Sequence, residues 1–255
     1  MAKKIQHNNT LAKKYLKEIK SADTWSVFKI ISDFVKGFDE LSDLGPSVTV
    51  FGSARLNETS PYYKQAQKLS KILAKRGFSI ITGGGPGIME AANRGAYKVN
   101  AVESIGLNID LPHEQVANPY TTKTLEFEYF FSRKVMLVKY SLAYVIFPGG
   151  FGTLDELFEA LTLVQTNKVT GVKIFLVGKE FYEPLLEFMK KSLLTHKTIS
   201  PEDLDLFEIT DDLEEIADKI HLSLLEQIAS IKALGLADTT YYKSLKKLKK
   251  RIKNG

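Results

Sequence analysis

Cysteine is absent from the 255 residues, which excludes a disulfide scaffold, a zinc-thiolate centre and a thiol nucleophile. Histidine is scarce: His7, His113, His196 and His221 are scattered without metal-ligand spacing, and no elbow motif for a serine hydrolase accompanies them. No metal is therefore expected. No apolar run approaches the roughly 18 residues of a membrane span. The opening MAKKIQHNNTLAKKYLKEIK carries charge but lacks the apolar core of a secretory signal, so the expectation is a cytoplasmic protein with no membrane partner. Internal repeats and low-complexity linkers are missing too, and one large domain is expected, big enough to bury roughly 70–75% of its unfolded surface.

Charge is present but unevenly placed. The chain carries 35 Lys and Arg against 30 Asp and Glu, net +5; residues 1–20 hold +5 and residues 243–255 hold +7, which leaves 21–242 at −7. A body built for nucleic acid would interleave cations with aromatics inside the fold, so no nucleic-acid partner is expected. The basic ends read as solvated tails or as contacts to a neighbouring subunit. Deleting residues 243–255 is expected to leave activity unchanged.

Apolar periodicity organises the rest. An amphipathic helix follows Asp23, a cap candidate, with Phe28, Ile31, Val35, Phe38 and Ser42 in heptad-like steps, flanked by Trp25, Phe34 and Leu41. Strands are expected at 47–53, 79–85, 103–109, 124–130, 143–150, 173–178 and 206–210. Helices fall between them: from Pro61 to a stop at Gly77, from Pro86 to Asn100, and near 132–141, 152–166, 180–193 and 211–233. Such alternation predicts an α/β domain, Rossmann-like and doubly wound, with a mostly parallel sheet and helices on both faces. Its ligand should bind at the carboxyl ends of the strands near a topological switch. The expected segments are 1–44, a basic tail and amphipathic helix packing on the core or a partner; 45–233, the Rossmann-like domain binding a nucleoside monophosphate; and 234–255, a basic C-terminal tail.

Two glycine loops follow apolar strands and open helices: Thr82-Gly83-Gly84-Gly85-Pro86-Gly87-Ile88-Met89-Glu90 and Pro148-Gly149-Gly150-Phe151-Gly152-Thr153-Leu154-Asp155-Glu156. Amides freed of side chains at a helix N-terminus can point N–H groups at phosphate. Dinucleotide binding is disfavoured, because the third glycine position is Ile88 in one loop and Asp155 in the other, and no acid ends the next strand. A P-loop is excluded, because the only Gly-Lys, Gly178-Lys179, continues with Glu180. A smaller phosphate ligand such as a nucleoside monophosphate remains, beside the alternative of two tight turns with no ligand.

Glu156 stands three residues after Thr153, which matches a capping box. On a helical wheel it shares a face with Thr153 and Ala160, away from an apolar stripe of Leu154, Leu157, Phe158 and Leu161, so a chemical role competes with capping. Asp155 reads as macrodipole pairing. Arg133-Lys134 follows Ser132, a plausible cap, and so falls in a helical first turn, where cations are disfavoured by about 0.3–1 kcal/mol each. An anionic ligand or an ion pair with Glu126 or Glu128 would compensate. His196-Lys197 has the composition of a pyridoxal-phosphate lysine site, but past a helix end it reads as a surface pair.

GGGPGIMEAANRGA (83–96), SRK (132–134) and PGGFGTLDE (148–156) resemble the signature of the LONELY GUY family, the cytokinin riboside 5′-monophosphate phosphoribohydrolases, often labelled lysine decarboxylases. The resemblance spans roughly residues 45–210, and Gly52-Ser53-Ala54-Arg55 fits a bacterial branch. It implies a homodimer or higher oligomer and hydrolysis of the bond between base and ribose 5′-phosphate in AMP or an N6-substituted AMP, with no cofactor. By matching positions, Arg133 and Glu156 would be the catalytic pair. Gly83, Gly84, Gly85, Gly87, Gly149, Gly150, Gly152 and Thr153 would surround phosphate and ribose, and Ser53, Arg55, Glu90 and Lys134 are further candidate substrate contacts. One departure is Leu142, which stands where many members carry an acid. A non-enzymatic nucleotide sensor on the same fold, or a pyridoxal-phosphate decarboxylase, are the competing classes.

Overall fold

The computed structural model describes residues 23–110, 117–239, 242–246 and 248; His7 and His113 lie outside them. The elements run α1 (Asp23–Leu41), β1 (Ser47–Phe51), α2 (Pro61–Lys75), β2 (Ser79–Thr82), α3 (Ile88–Tyr97), β3 (Ser104–Ile109), β4 (Lys123–Phe127), α4 (Phe130–Lys139), β5 (Ser141–Ile146), α5 (Phe151–Gln165), β6 (Lys173–Leu176), α6 (Lys179–Phe188), β7 (Glu208–Ile209) and α7 (Leu213–Ala233). A π-helical turn, Met189–Leu194, continues α6, and a 3₁₀ turn, Pro201–Leu206, leads into β7.

The seven strands form one sheet in the order β4-β3-β2-β1-β5-β6-β7, parallel throughout. The doubly wound architecture expected from the alternation is therefore observed. Both faces are covered, which is why β1, β3 and β5 are buried along their whole length. Val48, Val50, Ile80, Ala143 and Val145 meet Leu69 and Leu73 of α2, Ala91 of α3, and Ile216 and Ile220 of α7 on one side. Phe51, Ile81, Leu107, Tyr144 and Ile146 meet Met136 and Leu137 of α4, Leu157 of α5 and Tyr182 of α6 on the other. Leu142 is buried in the first of these clusters. An acid at that register would lie in apolar core, where an unpaired charge is costly.

Local chemistry sets most boundaries. Ser60 accepts the Tyr62 amide at the start of α2 and Pro61 occupies its first turn; Gly77 follows its end at φ +87°. Helix α3 starts at Ile88 rather than Pro86, because Gly87 has φ +71° and cannot be helical. The strand expected over 124–130 ends at Phe127, and the last expected strand shortens to Glu208-Ile209.

Helix α1 docks by one side of its apolar surface. Leu41 is buried and Phe34 packs on the core, whereas the heptad-step row of Phe28, Ile31, Val35 and Phe38 stays exposed. The docked face is set by Gly37, where a Cβ would collide with Met136 of α4. At the other end of the chain Tyr242, Leu245 and Leu248 are buried in the cluster that contains Leu73 and Phe78. No described helix is long and apolar enough to cross a membrane.

Candidate active site

The chain fills one half of the sheet from β1 outward to β4 and then returns to place β5 on the other side of β1. Connections leaving the carboxyl ends of β1 and β5 diverge there, which is the place where open α/β sheets bind ligands. Ser53, just past β1, ties the surrounding loops together. Its amide donates to the Pro148 carbonyl at 3.0 Å, and its own carbonyl accepts the Ile88 amide at 3.0 Å. Both glycine loops are thus fastened to one residue.

Close packing requires glycine at two places in these loops. At Gly87 a Cβ would strike the Ser53 carbonyl, and at Gly149 it would strike the Thr153 side chain. Gly150 and Gly152 differ, because a Cβ there would meet nothing within 4 Å. Open space lies in front of them. Helix α5 begins at Gly150 with no side-chain cap, so the amides at its first turn, Phe151, Gly152 and Thr153, are left for another acceptor. The start of α3 at Gly87 also lacks a side-chain cap. Gly84 donates to Thr82 Oγ1 at 2.9 Å, and the Gly84 and Gly85 carbonyls accept from Asn118.

The expected pair meets at this edge. Arg133 Nη2 donates to Glu156 Oε1 at 3.3 Å, with both side chains largely buried. The guanidinium lies 5.6 Å from the Phe130 ring centroid and faces Gly83, whose Cβ position would be 3.5 Å from Nη1. Its Nε is buried with no partner among the described residues. Burial pushes the Glu156 carboxyl up to about 7, against the opposing pull of Arg133. Burial likewise pulls Arg133 below the usual arginine value although Glu156 opposes it. Desolvation outweighs mutual attraction on both partners, so this ion pair is poor structural glue. Perturbation of that kind concentrates where chemistry is done.

Several expectations change. Ser132 is not the cap of α4, which starts two residues earlier behind Tyr129, so Arg133 and Lys134 lie past its first three positions. Their compensation comes from α5, not from Glu126 or Glu128: Lys134 pairs with Asp155 at 2.7 Å and Glu159 at 3.0 Å. Burial lowers the Lys134 pKa, but those two carboxylates outweigh it and the net direction is up. Thr153 and Glu156 form no capping box, since Gly150 is the cap and Thr153 is the third helical residue. The wheel also misplaced the stripe. Thr153 and Ala160 are buried with Leu157, and Phe158 is exposed. Glu156 therefore faces the fold rather than solvent.

Of the further candidates, Ser53 is central, as described. Arg55 is exposed next to it, donates its amide to Ser53 Oγ, and makes no ion pair among the described residues. Glu90 is drawn off to α2, where it accepts the Tyr63 hydroxyl at 2.8 Å. His196 bonds the Ser192 carbonyl and Lys197 is exposed in a turn at φ +57°. Among the described residues Lys197 is exposed rather than enclosed, and Lys134 is kept protonated by its two acids, so neither suits a Schiff-base lysine. Asp33 and Asn108 carried no signal in the sequence. Asn108 Oδ1 is buried without a described partner and occupies the place a Cβ on Gly84 would take.

Comparisons with known proteins bear on the family and the fold. The chain is 31% identical over 143 residues to the cytokinin riboside 5′-monophosphate phosphoribohydrolase LOG of Oryza sativa subsp. japonica, covering 54% of this chain and 57% of that protein. It is 26% identical over 202 residues to the cytokinin riboside 5′-monophosphate phosphoribohydrolase LOG1 of Arabidopsis thaliana, covering 74% and 91%. A molybdenum cofactor carrier protein from Chlamydomonas reinhardtii shares the fold at a TM-score of 0.51 and 20% identity, over 71% of this chain and 99% of that one. The family model described as "Possible lysine decarboxylase" matches residues 89–220, just over half of the chain, and the protein belongs to that family, the LOG family.

Proposed function

We propose that the protein hydrolyses the N-glycosidic bond of a nucleoside 5′-monophosphate, AMP or an N6-substituted AMP, releasing free base and ribose 5-phosphate. The observation that carries this is the buried Arg133–Glu156 pair set beside the uncapped, open start of α5. The relatives named for the same reaction support it.

Each part has a physical task. The 5′-phosphate would sit before Gly150, Gly152 and Thr153, where unfilled amides and the helix dipole favour an anion. Arg55 offers a cation free to reach it. Water forms its bond to C1′ as the C1′–N bond breaks, and the bond electrons leave with the base, which takes up a proton. Positive charge builds on the ribose ring, and a carboxylate at Glu156 stabilises it or orients the water. With its pKa near 7, the same group can accept a proton from that water. Arg133 balances charge on the phosphate or the departing base. The chemistry calls for no pyridoxal phosphate.

We further propose that the protein works as a homo-oligomer. Phe130, Phe131 and Phe151 are exposed at the rim, Phe151 at 94%, and the α1 row adds apolar surface. Surfaces of this kind mark interfaces.

The test incubates the protein with AMP and N6-substituted AMP and separates free base and ribose 5-phosphate by chromatography. Release that is lost in Glu156→Ala supports the proposal. A rise in melting temperature with AMP but no released base would replace it with a non-enzymatic nucleotide binder.

A further inference from the structure

Helix α4 carries Arg133 but has no cap of its own, since Tyr129 makes no side-chain hydrogen bond there. An acceptor that clamps the entry to α4 comes instead from α1. Asp33 Oδ2 accepts the Glu128 amide at 2.9 Å, the Tyr129 amide at 3.1 Å and the Ser132 hydroxyl at 2.8 Å. Asp33 is only 5% exposed, and Lys36 lies 3.6 Å from its other oxygen. Flanking bonds clamp the same turn: Lys29 pairs with Glu128 at 2.6 Å, and Lys36 donates to the Glu126 carbonyl.

Arg133 is the residue after Ser132. Its guanidinium has one long ion pair and an unpartnered Nε, so its own bonds define its position weakly. The backbone beneath it must supply the rest. We infer that Asp33 is a positioning residue for the reaction, holding the first turn of α4 so that Arg133 faces Glu156. The inference rests on the reading of Arg133–Glu156 as the reacting pair, which Asp33 itself does not touch.

The experiment uses the full chain with Asp33→Ala, Asp33→Asn, Arg133→Ala and the double variant Asp33→Ala/Arg133→Ala. With AMP, Asp33→Ala should lose about tenfold or more in kcat, because misplacement of a catalytic group by an ångström is that costly. KM should stay within about twofold, as expected when ground-state binding is spared. Asp33→Asn, which keeps an acceptor, should recover part of the rate. Asp33→Ala should add nothing once Arg133 is gone, whereas a general loss of stability would add to it.

A second readout is independent of turnover. The carboxyl carbon of Glu156, followed by NMR titration, senses Arg133 and Lys134 from α4 and Asp155 and Glu159 on its own helix. Asp33→Ala should move that titration in the direction Arg133→Ala moves it. An unchanged titration in folded Asp33→Ala, or additive losses of kcat, would overturn the inference. If Asp33→Ala does not fold, Ser132→Ala removes one of the three bonds and carries the same comparison. A wild type that releases no base would sink the functional reading, and the Glu156 titration would still decide this one.

Discussion

Glu156 and Arg133 hold their charges under strain from burial, and that strain is measurable. A carboxyl that titrates near 7 in the fold and near 4.5 when unfolded stabilises the fold only in its protonated form. The contribution is complete below about pH 4.5 and is lost as pH rises through about 7. Glu156→Gln cannot ionise, so its melting temperature should fall less between pH 5 and pH 8 than that of wild type; parallel thermal melts would check this. Activity should run the other way. If the carboxylate is the working form, kcat/KM for AMP should fall about tenfold per unit below pH 7, and a profile flat from pH 5 to 9 would contradict it. Both residues were singled out in the sequence, Glu156 by its place after a glycine turn and Arg133 by an expected helix start at Ser132 that the fold moves to Phe130. Asp33 was not legible, since nothing near it in sequence calls for a carboxylate. The groups that donate hydrogen bonds to it, on Glu128, Tyr129 and Ser132, lie almost one hundred residues away.

Elements were recovered in type and order because strand runs and helical periodicities are local, and their ends moved where backbone geometry intervened. Ser132 looked like a cap, yet α4 starts at Phe130, and a distant carboxylate, Asp33, takes the Glu128 and Tyr129 amides just before it together with the Ser132 hydroxyl. The glycine loops separate two roles that sequence alone merges. Gly87→Ala should cost about 2 kcal/mol or more, from positive φ and collision with the Ser53 carbonyl. Denaturant unfolding would measure the loss. Gly152→Ala, in open space within a helix, should be neutral or stabilising by up to about 1 kcal/mol. It should nevertheless raise KM for AMP if phosphate binds there as proposed, because the added methyl projects into that open space.

At the scale of the molecule, the basic C-terminal segment has a packing role. Leu245 and Leu248 are buried, and Leu248 fills the space beside Gly77. Truncation of residues 243–255 should leave kcat at 25 °C unchanged yet lower stability by several kcal/mol, since buried leucines are worth about 2–5 kcal/mol each. Melting curves with and without the segment would show it. The exposed α1 row makes a separate forecast. Phe28→Glu with Val35→Glu should reduce the mass seen by light scattering if a second copy covers that face, and an unchanged mass would place the interface elsewhere.

Residue order carries the information that short-range forces read: apolar period, turn glycines, a proline at a helix start, and charges out of place against a dipole. From these followed the strand and helix sequence and the two loops, whereas the pairing of Arg133 with Glu156 came from the resemblance of SRK and PGGFGTLDE to a family signature. Which face of α1 and of α5 turns inward, which carboxylate clamps the entry to α4, which acids hold Lys134 and how far burial lifts Glu156 were decided by tertiary packing. Those outcomes depend on solvent exclusion and on distances between residues remote in the chain, and neither quantity exists until the sheet is assembled.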